Sequence, residues 1–488
     1  MSPADTPRSK NLALALLAMT QFVVVLDAAI VNVALPSIGR ELDFARDDLS
    51  WVVNAYTLFF GGFLLLGGRL SDLLGRRRMF IWGMVLFAAA SFAGGIAQSD
   101  VWLVVARAVQ GLGAAIVSPA ALSIITTTFT EGAERNRALG VWGAVAGSGG
   151  AAGVLLGGIL TETLGWEWVL FVNTPIGIAA ALLAPRLLGE SRDASSPSFD
   201  FAGAISVTAG LALLVYTLVD ANDAGWGSTQ TLVLGAISLV LLAAFLVIEA
   251  RRRYPLMPFS IFRLRTLRGA NVVALLTGMS LFSMFFFISL YMQQVLRYEP
   301  LTAGVAYLPL ALVIIVSAGV ASQLVTRVGF KPTLIVGMLL VAGGLVWFGQ
   351  VSAPGGTYLG DILFPSLLAA VGLGFAFVPQ TIASVTGTRP DEAGLASGLI
   401  NTSQQVGGAL GLAVLATVAT GRTDDVIASG ERNPAVALTE GFQDAFLAGA
   451  GLALLGALLA AILISSKDSR EHAEAARRGE ASPTAVTA

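Results

Sequence analysis

Few residues in this chain are equipped for chemistry, and the informative one is Asp27. It sits near the middle of 22-FVVVLDAAIVNVALP-36, where the other fourteen residues are uncharged. A carboxylate among apolar residues can exchange a proton, balance a cationic ligand, or pair permanently with a buried cation. The last role falls to Arg107, the other charge inside an apolar stretch. Cysteine is absent and the one histidine, His472, lies in the polar C-terminal tail. Thiol catalysis, disulfides, cysteine metal sites and histidine proton relays within the apolar segments are therefore excluded. No cofactor or metal is expected, and no paired acids within the apolar stretches are available for an enzyme's hydrolytic site.

The elements that must position Asp27 are long and apolar. Of the 488 residues, 55% are hydrophobic and 12% charged, 55 are glycine, and mean hydropathy is +0.78. A bilayer span needs ~20 mostly apolar residues. Fourteen stretches of at least 18 residues qualify: 11–39 (interrupted by Asp27), 49–68, 79–99, 101–130 (interrupted by Arg107), 138–161, 168–185, 201–219, 224–248, 269–296, 300–326, 332–360, 362–388, 393–421 and 445–466. An all-α integral membrane protein with fourteen transmembrane helices is predicted. The alternation a membrane barrel needs is missing.

Lys and Arg set the orientation. With a cytoplasmic N-terminus, inner loops and tails carry 23 of the 29, outer loops carry 5, and Arg107 stays inside a span. This fits the positive-inside rule and places both termini in the cytoplasm. Clusters such as 76-RRR-78 and 251-RRR-253 then anchor topology and do not bind nucleic acid. No cleavable signal peptide is expected.

The chain also repeats. 75-GRRRMFIWGM-84 is echoed by 329-GFKPTLIVGM-338 at an offset of 254, and 149-GGAAG-153 by 407-GGALG-411 at 258. Likewise 111-GLG-113 with Pro119 is echoed by 372-GLG-374 with Pro379, which sets Leu368 opposite Arg107. The expected organisation is an N-terminal tail (1–10), a six-helix bundle (11–188), a linker with two inserted helices and a basic loop (189–268), a second six-helix bundle (269–466) and a disordered tail (467–488). Two related halves around a midplane site are a recurring build for secondary transporters.

Several motifs carry a family resemblance. 68-GRLSDLLGRRR-78 resembles the loop signature of the major facilitator superfamily, Gly-x-Leu-x-Asp-x-x-Gly-Arg-Arg/Lys. 26-LDAAIVNVALP-36 is similar to the first-helix signature of its fourteen-helix drug:proton antiporter branch. 107-RAVQGLGAA-115, 173-NTPIG-177 and 394-GLASGLINTSQQVGGALG-411 match further patterns of that group. The resemblance implies a proton-coupled exporter of lipophilic drugs or antibiotics, often cationic, in the bacterial inner membrane, working by alternating access. Its partners would be a small lipophilic substrate, protons and membrane lipid, and a monomer is expected. Val154 stands where exporters of this superfamily usually carry proline, which removes a built-in kink and leaves open the alternative of a proton-coupled symporter or importer of a small organic solute.

Asp27 and Arg107 are the candidates for proton coupling. Burial and a nearby arginine push a carboxyl's proton affinity in opposite directions, which can leave it titrating in a useful range. A permanent structural ion pair remains the alternative. Asp27, Asn54, Tyr56, Tyr291, Asn401 and Gln404 are candidate substrate contacts, although each uncharged one can equally serve as a helix–helix hydrogen bond. Gly68, Asp72, Gly75, Arg76 and Arg77 form a candidate gate, in which Asp72 pairs with the arginines or caps a helix N-terminus. Gly149, Gly153 and Gly157 allow close helix packing for the conformational change.

Overall fold

The computed structural model describes residues 7–44, 49, 51–130, 132–192, 200–252, 255, 257–353, 355–389 and 392–478. Fourteen helices form the body: α1 Pro7–Glu41, α2 Trp51–Leu74, α3 Arg76–Gly95, α4 Asp100–Thr128, α5 Ala133–Thr163, α6 Trp168–Leu187, α7 Phe201–Ala224, α8 Thr229–Arg251, α9 Arg265–Leu290, α10 Leu308–Val328, α11 Phe330–Phe348, α12 Phe364–Val385, α13 Ala393–Ala428 and α14 Pro434–Leu463. A shorter helix follows, α15 Ser466–Arg478. Twelve of the fourteen are long and apolar enough to cross a bilayer unaided. α5 joins them as a bent span and α7 contributes a shorter apolar stretch, Ala202–Leu218.

The sequence repeat reappears as a repeat of packing. In the first half α1 lies on α5, α2 and α3 on α4, and α3 and α1 on α6; in the second, α9 lies on α13, α10 and α11 on α12, and α11 and α9 on α14. The halves meet where α5 packs on α10 and α2 packs on α13. The inserted hairpin α7–α8 covers one of these seams, with α7 against both α2 and α13. Helices alternate in direction, so both α1 and α14 place their terminal ends at one end of the bundle, here the near end.

Glycine sets how close the helices come. A Cβ on Gly153 would lie 2.6 Å from the Leu26 carbonyl, and one on Gly411 would lie 2.5 Å from the Met279 carbonyl. In each half the glycine stripe of the fifth helix therefore seats the backbone of the first. Gly113 and Gly372 likewise meet the carbonyls of Gly83 and Gly337. That register pairs Arg107 with Ser366, two residues from the Leu368 expected from the motifs. The equivalent position is uncharged either way.

Two expectations are corrected. α5 bends by 43° between Gly150 and Ala152 despite Val154; a glycine pair supplies the freedom that proline would have imposed. The tail is helical over Ser466–Arg478, where disorder was expected for 467–488; positions 479–488, like Arg253, lie outside the described residues. Ser469, His472, Ala473 and Ala476 follow helical spacing and are buried. α15 lays this face on α10 and α11. Small alanines and one histidine make an inward face that bulk polarity conceals.

Candidate functional site

Asp27 is fully buried, and the first half builds a closed polar cluster around it. Arg107 Nη1 donates to Asp27 Oδ2 at 2.7 Å. Gln110 Nε2 and Asn173 Nδ2 donate to Oδ1 at 2.8 and 2.6 Å. Arg107 Nη1 also reaches Gln110 Oε1 at 2.7 Å, and its Nε donates to the Val52 carbonyl at 3.0 Å. Ser91 Oγ accepts from Gln110 and Asn173 and donates to the Leu170 carbonyl. The Tyr56 ring lies 4.4 Å from the guanidinium carbon, and its hydroxyl donates to the Val24 carbonyl. α1, α2, α3, α4 and α6 all contribute, so the cluster sits on the axis of the half-bundle.

The physical logic is charge compensation. A lone charge at mid-bilayer costs ~2.5–3.5 kcal/mol on insertion scales. Asp27 meets this with one ion pair and two further N–H donors. Arg107 meets it with the carboxylate, two carbonyl-type acceptors and an aromatic face. Asp27 and Arg107 are thus brought together as the sequence leads one to expect. Asn173, Ser91 and Gln110 are not among the residues the sequence singles out. Gln110 follows Arg107 by three residues, one turn along the same helix face. Asn173 opens the 173-NTPIG-177 motif, so a signal existed for both.

The other candidate contacts divide. Asn54, Asn401 and Gln404 are half-buried on α2 and α13, the helices that meet across the seam. Asn401 donates to Ser397 of its own helix at 2.8 Å. Tyr56 belongs to the buried cluster, and Tyr291 lies inside the second half, its hydroxyl donating to the Ser352 carbonyl at 2.7 Å. Neither tyrosine presents a surface to a cavity. Polarity alone does not tell which helix face a side chain occupies.

The near-end signature forms a seal between the halves. Asp72 accepts from Arg76 at 2.8 Å and, across the seam, from the Gly394 and Leu395 amides at 3.1 and 3.0 Å. These amides belong to the first turn of α13, where N–H groups lack partners within the helix and the dipole favours an anion. Gly68 brings α2 close enough, since a Cβ there would lie 2.5 Å from the Gly394 carbonyl. Gly75 adopts φ 109°, a left-handed value that favours glycine, and turns the chain into α3. Arg77 binds within its own half, to Glu190 and the Leu188 carbonyl. Gly149, Gly153 and Gly157 pack on α1, within the first half.

The second seam repeats the arrangement in weaker form. Offsets of 254 and 258 carry Asp72 and Gly394 onto Thr326 and Asn136, and Asn136 Nδ2 donates to Thr326 Oγ1 at 3.1 Å. They also carry Gly68 and Gly398 onto Ser322 and Gly140, which abut in the same way. The Asn136 amide already donates to Gly132 within its helix. A hydroxyl facing a side-chain amide replaces a carboxylate facing free amides.

Residues 17–412 match the model of the Major Facilitator Superfamily. The chain is 40% identical over 454 residues to the puromycin resistance protein pur8 of Streptomyces alboniger, covering 92% of this chain and 90% of that protein. It is 42% identical over 455 residues to the cephamycin export protein CmcT of Amycolatopsis lactamdurans, covering 92% of each. Its fold is similar to that of the human organic anion transporter MFSD10, with a TM-score of 0.66, 17% identity and coverage of 93% and 100%. Repeated halves, glycine-seated helices, an acid-on-amide seal and these likenesses agree: the chain belongs to the major facilitator superfamily.

Proposed function

We propose that this protein exports lipophilic, cationic or neutral antibiotic-type compounds across a bacterial inner membrane in exchange for protons, and that it has no enzymatic activity. The observation that carries the reading is the Asp27–Arg107 pair, a carboxylate held at the axis of the first half-bundle with its charge balanced by one movable partner. The names of the relatives, one a resistance protein and one an export protein, support export over import. The Lys and Arg asymmetry supports cytoplasmic termini and makes the near end the inner face.

Proton uptake at Asp27 cancels the attraction that holds Arg107 and frees it to turn elsewhere. A cationic substrate can do the same by taking the carboxylate as its counter-ion. Proton and substrate then compete for one group, the simplest basis for exchange. Because Asp27 is fully buried with the near end sealed, loading and release belong to conformations in which neighbouring helices part. The half-buried Asn54, Asn401 and Gln404 would contact the cargo along the α2–α13 seam. The working unit in this reading is a monomer in contact with lipid, without cofactor or nucleic acid.

The test is exchange in proteoliposomes containing a pH-sensitive dye, with a proton gradient imposed and lipophilic cations such as ethidium added in turn. Substrate-dependent proton movement is expected in the wild type and lost in Asp27→Asn that remains folded. Unchanged movement in Asp27→Asn would return the pair to a structural role. Proton and substrate moving in the same direction would establish symport.

A further inference from the structure

The weaker seam carries a reinforcement of its own, as α7 covers the other. α15, the helix after the last span, places His472 against it. The His472 Nε2–H donates to Asn136 Oδ1 at 3.0 Å, while the same amide donates to Thr326. The imidazole packs edge-on to Phe330, with centroids 5.7 Å apart, and the side chain is 2% exposed. Ser322 Oγ donates to the Asn136 carbonyl at 2.7 Å. α15 is held to the second half by several contacts: Ser469 Oγ accepts from the Lys331 amide, Lys331 Nζ donates to Ile464 and Ser466, and Asp468 binds Thr266. Asn136 is on α5 of the first half. His472 therefore spans from a helix fixed to one half onto the other half.

We propose that α15 is a detachable clamp, which through His472 on Asn136 holds the two halves together at the near end and must release before that end opens. The argument rests on connectivity. Rocking one half against the other separates α5 from α10 at this end, and a helix anchored on α10 and α11 cannot follow Asn136. One neutral hydrogen bond changes an equilibrium by about three- to tenfold. That is enough to bias two states of comparable energy without locking either.

The clamp carries its own sensitivity to acid. Burial, and then the Arg135 guanidinium on α5, push the His472 imidazole down to about 4 from its ordinary 6.5. Other charged groups on the surrounding elements are Glu134, paired with Lys10, and Arg137 on α5, and Arg327 and Lys331 on α10 and α11. α15 itself adds Asp468, Arg470, Glu474, Arg477, Arg478, and Glu471 paired with Lys467. A histidine whose docked value is lowered docks as the neutral form. Docking is therefore at full strength above about pH 6.5 and weakens as pH falls toward 4, by about twentyfold between pH 7 and pH 5.

The absence of native cysteine allows a direct test. Leu74→Cys and Val328→Cys place spin labels on exposed near-end positions of the two halves, and their distance distribution is measured in nanodiscs. Shortening the chain after Ser465 is expected to move at least three times more of the population to long distances at pH 7. His472→Ala in the full-length chain should do the same, and it decides the question if the shortened chain does not fold. The background protein should open further at pH 5, whereas His472→Gln, an uncharged donor that does not titrate, should respond less to pH. Distributions unchanged by His472→Ala would overturn the clamp; a pH response equal in His472→Gln would overturn its sensing role. Because this readout involves no cargo, it stands or falls separately from the proposed export.

Discussion

The two halves share a scaffold but solve the same axial position differently. Gly153 seats Leu26 and Gly411 seats Met279, so Ser280 stands in the second half where Asp27 stands in the first. Ser280 is buried, and its hydroxyl donates to the Leu276 and Gly449 carbonyls at 3.0 and 3.2 Å. Ser366 occupies the place of Arg107. The second bundle thus closes with a hydroxyl bonded to backbone at the place of Asp27 and an uncharged buried serine at that of Arg107, at little electrostatic cost. The ion pair in the first half is not a requirement of packing, and its expense points to use.

The sharpest way to break that comparison is to strand one charge. Arg107→Met removes the cation and leaves Asp27 buried with only Gln110 and Asn173. Losing one partner of a buried pair costs ~3–5 kcal/mol. A large fall in melting temperature is expected. Adding Asp27→Asn should restore most of it, since an uncharged amide oxygen still accepts from both neighbours, while proton exchange stays absent. A double variant no more stable than Arg107→Met would show that the pair itself holds the bundle together.

The near-end seams give the next largest effect. Asp72→Asn keeps the shape but removes the charge facing Arg76 and the α13 amides, whose charge-assisted bonds are worth ~1.5–3 kcal/mol each. The Leu74–Val328 label pair should shift strongly toward open distances. Thr326→Ala, at the equivalent place on the other seam, should shift it by about tenfold at most. Equal responses would mean that the asymmetry between carboxylate and hydroxyl has no mechanical meaning.

How much of this was legible in the letters follows from what letters encode. Apolar length marks twelve of the fourteen helices outright as spans, and recurring glycines gave away the two halves because each marks a place where backbones touch. Asp27 and Arg107 stood out as charges where charge is costly. The amides of Gly394 and Leu395 did not stand out, since a backbone donor has no letter of its own and only the free first turn of α13 makes it available. Tyr56 and Tyr291 are candidate contacts by polarity alone, which shows no direction, and the structure buries both. α15 was missed because serine, alanine and one histidine at helical spacing resemble a solvated tail until Phe330 and Asn136 are brought beneath them.

The smallest expected effect is also the cleanest contrast. Ser280→Ala removes one hydroxyl from the position equivalent to Asp27. Hydrogen bonds between membrane helices average ~0.6 kcal/mol, and this hydroxyl also bonds back to Leu276 in its own helix. Melting temperature should move by a degree or two and proton exchange should keep its wild-type rate. The same position in the first half, changed to Asn, should abolish exchange. If Ser280→Ala also abolished it, the second half would share in proton coupling through a hydroxyl or a water it holds, and the division of labour between the halves would have to be redrawn.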